Sequence, residues 1–250
     1  RPSSFKSLYH DNTAGGSLEW GTAIGGRHTL RAAFHFKDEN HQENNVGEPV
    51  QRKEGRIVSA GVEDSWTVSS RVSVVAGISG DWQTTTKAET LERGIIVNQP
   101  MGDTNGVNPQ AGVFIGIPSG MLRGTVSRKT RLPSMKDRYS YRLGTAIPNP
   151  YLEPEVATTF EAGFQGAVGR RTSVQASVFY SRIDDLVQRF YVQPNVSQQR
   201  NIGQASSAGL ELDARTKPAD WLELSANYTF LDRDNISDPA VPLTDTPAHK

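Results

Sequence analysis

Three observations predict an all-β fold, an antiparallel transmembrane β-barrel segment of about ten strands. Apolar and polar side chains alternate strictly in segment after segment, which gives each strand one greasy face and one wet face. The links between these segments run short, long, short, long, as they do where strands cross a bilayer between tight periplasmic turns and longer extracellular loops. Charges of both signs sit mid-strand on the wet parity (Arg31, Glu161, Glu211, Asp213), while the greasy parity is almost free of them. The apolar stretches run about nine residues, the length a tilted strand needs to cross the hydrocarbon layer.

Residues 1–12 are polar and read as irregular. Ser17–Ile24 then places Leu18, Trp20 and Ile24 on one parity, and Gly25-Gly26 is a tight-turn signal. His28–Lys37 sets Leu30, Ala32, Phe34 and Phe36 against Thr29, Arg31, Ala33, His35 and Lys37. Asp38–Gly55 reads as a long polar loop. Arg56–Trp66 follows with Val58, Ala60, Val62 and Trp66 in phase; Asp64 is the exception on that parity, placed next to a turn. Thr67–Arg71 links it to Val72–Gln83, where Val72, Val74, Ala76, Ile78 and Trp82 share a face. Lys87–Asn108 is again long and rich in Gly, Asn and Pro.

Gln110–Ile117 and Met121–Lys129 are the two faintest strands, joined by the turn Pro118-Ser119-Gly120. The segment Thr130–Pro154 reads as a loop rich in proline, with the aromatics Tyr139, Tyr141 and Tyr151. Thr158–Val168 alternates cleanly, Gly169-Arg170-Arg171 turns the chain, and Ser173–Val187 carries Val174, Ala176, Val178 and Tyr180 on one face before losing phase near Arg182. A loop through Gln193–Gln199 precedes Gly203–Thr216, in which Leu210, Leu212 and Ala214 oppose Glu211, Asp213 and Arg215. After Pro218-Ala219-Asp220, Trp221–Leu231 alternates Leu222, Leu224, Ala226, Tyr228 and Phe230 with Glu223, Ser225, Asn227 and Thr229. No segment reads as a convincing amphipathic helix. Trp20, Trp66, Trp82, Trp221 and Tyr180 lie near strand ends, Trp20 least clearly, where a ring can meet lipid while its polar atom meets water.

Composition narrows the function classes. The 27 basic and 27 acidic side chains cancel, which removes the electrostatic basis for binding nucleic acid. Without cysteine there is no disulfide framework and no thiolate metal site. A mean hydropathy of −0.52 resembles that of a soluble protein. Hydropathy is nevertheless blind to barrels, whose strands give lipid only alternate residues. The competing expectation is therefore a soluble all-β sandwich or propeller, a binding module for carbohydrate for instance. The chain starts at Arg1 with no initiator Met and no leader, so it is expected to begin inside a longer protein.

No catalytic or metal motif stands out. His10, His28, His35, His41 and His249 show no ligand spacing, and His28 and His35 fall on opposite parities. No serine lies in a GxSxG elbow, and neighbours such as Asp184-Asp185 would point to opposite faces of a strand. The three sequons at Asn195, Asn227 and Asn235 read as chance. No cofactor is expected.

Several phrases occur together in a specific order: NPYLEPEVATTFEAGF (Asn149–Phe164), SVFYSRIDDLVQ (Ser177–Gln188), NIGQASSAGLELD (Asn201–Asp213), LELSANYTFLD (Leu222–Asp232) and PLTDTPAHK (Pro242–Lys250). They resemble the late strands of a TonB-dependent outer-membrane receptor, and Asn108–Ser134 resembles the hairpin before them. Residues 1–107 fit the architecture without a phrase of their own. The resemblance implies a bacterial outer-membrane barrel of about 22 strands closed by an internal plug. It also implies uptake of a scarce ligand, a ferric siderophore first, cobalamin or a glycan otherwise, with energy delivered through TonB. Residues 1–250 are then expected to be a partial barrel domain, with the plug and closing strands absent, unable to transport alone. Lumen-facing side chains would be Arg31, His35, Asp81, Glu161, Glu211, Asp213 and Arg215, facing plug or water. Ligand contacts are expected instead from the outer loops, at Arg131, Tyr139, Tyr141, Arg142, Phe190 and Tyr191. Arginine suits an anionic chelate and aromatic faces suit catecholate or apolar groups. In NPYLEPE the prolines Pro150 and Pro154 are expected to rigidify the approach to a strand. Gly203 and Gly209 are expected to permit close packing or a bulge.

Overall fold

The computed structural model describes residues 6–141, 144–240, 243 and 248–249. In chain order it has β1 (Ser7–Ile24), β2 (His28–Asn45), β3 (Gln51–Thr67), β4 (Val72–Glu92), β5 (Ile95–Asn98), β6 (Thr104–Ile117) and β7 (Gly120–Arg131). The short helix α1 (Met135–Tyr139) and β8 (Ala146–Ile147) come next. Then follow β9 (Glu155–Val168), β10 (Thr172–Asp184), β11 (Val187–Gln193), β12 (Val196–Asn201), β13 (Ala205–Ala219) and β14 (Leu222–Asn235). Ten of the strands form one antiparallel meander in the order β1-β2-β3-β4-β6-β7-β9-β10-β13-β14, with β5 folded back on the outer end of β4. A second sheet, β11-β12-β8, lies among the long loops. Past β14, Phe230 makes an antiparallel bridge to His249, and the Leu231 amide donates to Ala248 O at 2.9 Å, so a further segment begins to pair on that edge.

Register converts the sequence alternation into two continuous faces. Phe34 lies opposite Leu18 and Ala60, Val178 opposite Ala162 and Leu210, and Tyr228 opposite Leu212. This apolar face is bare: Leu18 is 70% exposed, Phe160 54%, Val178 52% and Leu224 50%. A soluble monomer rarely leaves a contiguous apolar patch of more than a few hundred Å² in water, roughly. A face that continues across ten paired strands needs hydrocarbon against it, and the soluble-module alternative fails on this point. The band ends at the long-loop side near Phe36, Val58 and Trp82, which are paired across β2, β3 and β4. At the turn side His28 stacks on Trp66 with centroids 5.7 Å apart, and its Nδ1 lies 2.7 Å from Asp64 Oδ2, which pairs the carboxylate lying between Val62 and Trp66 on the apolar parity. Trp20 sits opposite Ala32, four residues inside its strand end, and so belongs to the band itself.

Several expectations require correction. Residues 7–12 are strand, and the polar stretch Asp38–Gly55 is mostly strand as well, since β2 and β3 leave only residues 46–50 between them. Lys87–Asn108 contains the end of β4, all of β5 and the start of β6, and the loop at Gln193–Gln199 is the turn and return strand of the β11–β12 hairpin. Where β1 to β4 and β6 extend above the band, no face meets hydrocarbon and the period-two signal vanishes while backbone pairing continues; β11 and β12 pair in the separate loop sheet. The faint pair β6 and β7 is fully formed and paired from Gln110–Ser127 to Ile117–Gly120. The close packing expected at Gly209 is present: a Cβ there would come within 2.5 Å of the Phe179 ring on β10.

Candidate functional site

The outer loops are bound to one another into a single platform. The loop between β7 and β9 begins with a capping box in which Ser134 Oγ accepts from the Asp137 amide (3.1 Å) and Asp137 accepts from the Ser134 amide (3.0 Å). This fixes α1, which lays Met135 and Tyr139 against Ala88 on the polar face of β4. Gly55 on β3 makes room, because a Cβ there would lie 2.0 Å from Met135 Cε. Arg138 is 2% exposed and donates to Gly102 O (2.7 Å) and Leu152 O (3.1 Å). Tyr139, wholly buried, donates its hydroxyl proton to Pro100 O (3.1 Å) and accepts from the Gly102 amide (3.3 Å). The loop before β6 is thereby held to the loop after β7.

A second clasp joins that loop to the β11–β12 hairpin. Asn149 Nδ2 donates to Gln199 O (2.9 Å), the Glu153 amide donates to Asn201 Oδ1 (2.9 Å), and Asn201 Nδ2 donates to Glu153 O (2.9 Å). β8 adds a short parallel pairing to β12. Arg131 ion-pairs with Glu155 and reaches Asp137 at 3.3 Å, and Glu155 also accepts from the Val187 amide at 2.6 Å. The phrases NPYLEPE and NIG, read separately in the sequence, are two halves of one joint.

On the same polar face, above the apolar band, β1, β2 and β3 hold a buried charge cluster. Lys53 is 1% exposed and ion-paired to Glu43; His41 is hydrogen-bonded to Asp11, and its Nε2 lies 3.5 Å from Glu43. Burial alone would raise the Glu43 pKa, but the His41 hydrogen bond and the Lys53 charge outweigh it and hold the carboxyl down at about 2. The Glu43 bond, reinforced by Asp11, raises the His41 pKa against burial, while burial pushes the Lys53 ammonium down despite Glu43. Because the Glu43 pKa in the folded state lies below its ordinary 4.5, its stabilising share is complete above that pH and is lost as pH falls towards about 2. Glu43→Gln should leave Lys53 charged and unpaired and loosen this end of the hairpin by about 3 kcal/mol. Faster amide exchange in the outer halves of β1–β3, with the membrane halves unchanged, is the measurement that checks it.

Nearer mid-strand, the polar face carries a ladder of paired groups. Ser59 Oγ and Asn108 Nδ2 donate to the two oxygens of Asp81 (2.5 and 2.6 Å), and Arg123 grips Glu161 through Nε (2.9 Å) and Nη2 (2.6 Å). Arg31 Nη1 is 3.8 Å from Glu63, which accepts from Gln110 at 2.8 Å. His35 lies opposite Ser59, Glu211 opposite Ser177, Asp213 opposite Gln175, and Arg215 opposite Ser173. No group of three or more His, Asp or Glu side chains suited to a metal occurs among the described residues.

A bare apolar band, a continuous polar face and outer loops packed as a platform describe one wall of a barrel. The sequence matches, over residues 1–250, the family described as TonB dependent receptor-like, beta-barrel. The chain belongs to that family. It is an outer-membrane barrel chain of bacteria, in a family of receptors and transporters. Among solved structures, the copper transporter OprC is 17% identical with a TM-score of 0.79, over 96% of this chain and 41% of that one. The alcaligin outer-membrane receptor FauA from Bordetella pertussis is 17% identical with a TM-score of 0.69, over 98% and 42%. The ferric yersiniabactin uptake receptor FyuA from Yersinia pestis is 15% identical with a TM-score of 0.64, over 92% and 36%. These likenesses are of fold, and the chain spans about two-fifths of each of these proteins. No curated protein sequence matches the chain.

Within this receptor barrel the expected ligand residues separate by exposure. Phe190 and Tyr191 are 48% and 63% exposed, and the Arg200 guanidinium sits 4.5 Å over the Phe190 ring. Arg131 is half-exposed and engaged with Glu155, and Tyr141 is half-buried beside Tyr9, Glu43 and Gln51. Tyr139 is enclosed beneath the loops, and Arg142 lies outside the described residues. The seven side chains expected to face the lumen do share one face. Sequence reasoning missed Arg138, Asn149 and Asn201, whose partners are backbone carbonyls and amides that no motif announces.

Proposed function

We propose that this chain forms part of the barrel wall of an outer-membrane receptor that imports a ferric siderophore, its loop platform receiving the ligand at the mouth. Plug, remaining strands and the TonB-coupling segment belong to the longer protein, because about ten strands make less than half of a barrel of about 22. The polar face bearing Arg31, His35, Asp81, Glu161, Glu211, Asp213 and Arg215 then faces that plug. The observation that carries the reading is the platform itself: loops pinned by Arg138, Tyr139 and Asn201 present exposed Phe190 and Tyr191, with the Arg200 guanidinium over the Phe190 ring. Preorganised rings and cations bind an anionic, partly aromatic chelate without the entropy cost of ordering a loose loop. The likeness to FyuA, a ferric yersiniabactin uptake receptor, supports a ferric chelate as the ligand.

The test uses the complete receptor in cells deleted for their own siderophore receptors. Phe190→Ala with Tyr191→Ala should weaken ferric-siderophore binding about tenfold, from the loss of two stacking contacts, with the amount of receptor in the membrane unchanged. Arg131→Ala and Tyr141→Ala should weaken it further. Undiminished binding and iron-dependent growth in all of these variants would remove the platform as the ligand site.

A further inference from the structure

The short-turn end of the sheet is a basic rim with a built-in repeat. The last residue of each of the first four short turns gives its carbonyl to an amide of the next strand pair along. Arg27 O accepts from Thr67 (2.7 Å), Arg71 O from Gly116 (2.6 Å), Ser119 O from Ala167 (2.7 Å) and Arg171 O from Lys217 (2.9 Å). Neighbouring turns are two strands apart, about 10 Å at the usual inter-strand spacing, so these bonds tie the turns into one edge. Three of the four linked positions are arginine, and Arg170 and Lys217 lie beside them.

All five basic side chains are exposed, whereas Asp220 is the lone carboxylate within the turns themselves. Asp220 lies 3.4 Å from Arg171, and Glu223, just inside β14, is 3.1 Å from Lys217. Arg27, Arg71 and Arg170 have no carboxylate partner among the described residues. At the opposite end of the sheet the charges form ion pairs instead, Asp11 with His41, Glu43 with Lys53, Lys87 with Glu89 and Arg131 with Glu155. The rim also borders the apolar band: Trp66 precedes Thr67, and Trp221, 84% exposed, follows Asp220.

We infer that this rim binds the phosphates of anionic phospholipid headgroups in the leaflet that meets the short turns. Guanidinium groups held at the edge of the hydrocarbon, beside interfacial tryptophans, sit at the depth of lipid phosphates, and each basic group near an anionic surface adds attraction there. The spacing of about 10 Å is close to the width of one headgroup, so successive turns can take separate lipids. This inference goes beyond the proposed uptake role and is independent of which ligand enters at the mouth.

The experiment compares the complete receptor with the variant Arg27→Gln, Arg71→Gln, Arg170→Gln, Arg171→Gln. The control removes equal charge at the other end: Arg52→Gln, Arg56→Gln, Arg93→Gln, Arg189→Gln. Each is reconstituted in phosphatidylethanolamine containing phosphatidylglycerol, extracted into detergent, and its retained phosphatidylglycerol is counted by native mass spectrometry. Retention should fall at least threefold in the rim variant and stay near wild type in the control. Quenching of the turn-side tryptophans by brominated phosphatidylglycerol should fall with it. Equal retention in the rim variant and wild type, equal loss in both variants, or no preference for phosphatidylglycerol over phosphatidylethanolamine would overturn the inference. Should the fourfold variant fold poorly, the pair Arg27→Gln and Arg71→Gln carries the same test on neighbouring turns.

Discussion

Replacing Arg138 with alanine should unfasten the outer loops while leaving the ten-stranded sheet intact. The guanidinium is buried under the loop and serves two carbonyls on different segments, Gly102 O at 2.7 Å and Leu152 O at 3.1 Å. Hydrogen bonds from a charged donor are worth roughly 1.5–3 kcal/mol each, and their removal leaves two acceptors unsatisfied. The local opening free energy of the loop should drop by about 3 kcal/mol, which is about a hundredfold in exchange rate. The reporting amides are Gly102, bonded to the Tyr139 hydroxyl, and Asn149, bonded to Arg138 O. Arg138→Lys should rescue little, because a single ammonium cannot reproduce a planar fork aimed at two carbonyls. Sheet amides in β9 and β10 should exchange as before. If Gly102 and Asn149 remain protected in the alanine variant, the loop is held by something other than Arg138. In the complete receptor the same variant should weaken ligand binding although Arg138 itself is out of the ligand's reach.

The membrane half of this fold was legible because lipid imposes a simple rule on each strand. Where one face meets hydrocarbon and the other does not, side chains alternate, and Leu222 to Phe230 states that rule plainly. Above the band the rule lapses. Asp38–Asn45 is polar on both faces, so its eight residues read as loop, although each pairs with β3 or β1. That error hid the best-buried ion pair, since Glu43 and Lys53 become neighbours only when β2 and β3 extend past residue 50. β6 and β7 were faint for another reason: Gly112 and Gly116 take polar-face positions and Gly120 and Gly124 apolar-face ones, which blurs the alternation without disturbing the pairing. The loop platform was least legible. Phe190 and Tyr191 could be named from residue type, but Tyr139, of the same type, is enclosed by contacts to Pro100 and Gly102 that lie far off in sequence. Side-chain chemistry is visible in a sequence, whereas the backbone carbonyl it will meet is not.

The assignment of the two faces has a sharp consequence on a single strand. Val178 and Gln175 are three residues apart on β10, on opposite faces, and both are exposed. Val178 lies opposite Ala162 and Leu210 within the apolar band, and Gln175 lies opposite Asp213. An arginine at 178 would place a guanidinium in hydrocarbon near mid-band, at a cost of about 2–4 kcal/mol at the midplane of a barrel, with bilayer thinning and snorkelling limiting the damage. An arginine at 175 would meet the Asp213 carboxylate in an aqueous setting and should change stability by less than about 0.5 kcal/mol. Urea titration of the complete barrel refolded into lipid vesicles measures both, and the gap between them should be about 3 kcal/mol. In detergent the gap should shrink, because a micelle deforms around a charge more easily than a bilayer. Equal destabilisation by the two variants would mean that the apolar face does not meet lipid, since backbone, strand and introduced side chain are otherwise shared. The comparison therefore isolates the solvent that each face sees, which is the property on which the membrane placement of the chain depends.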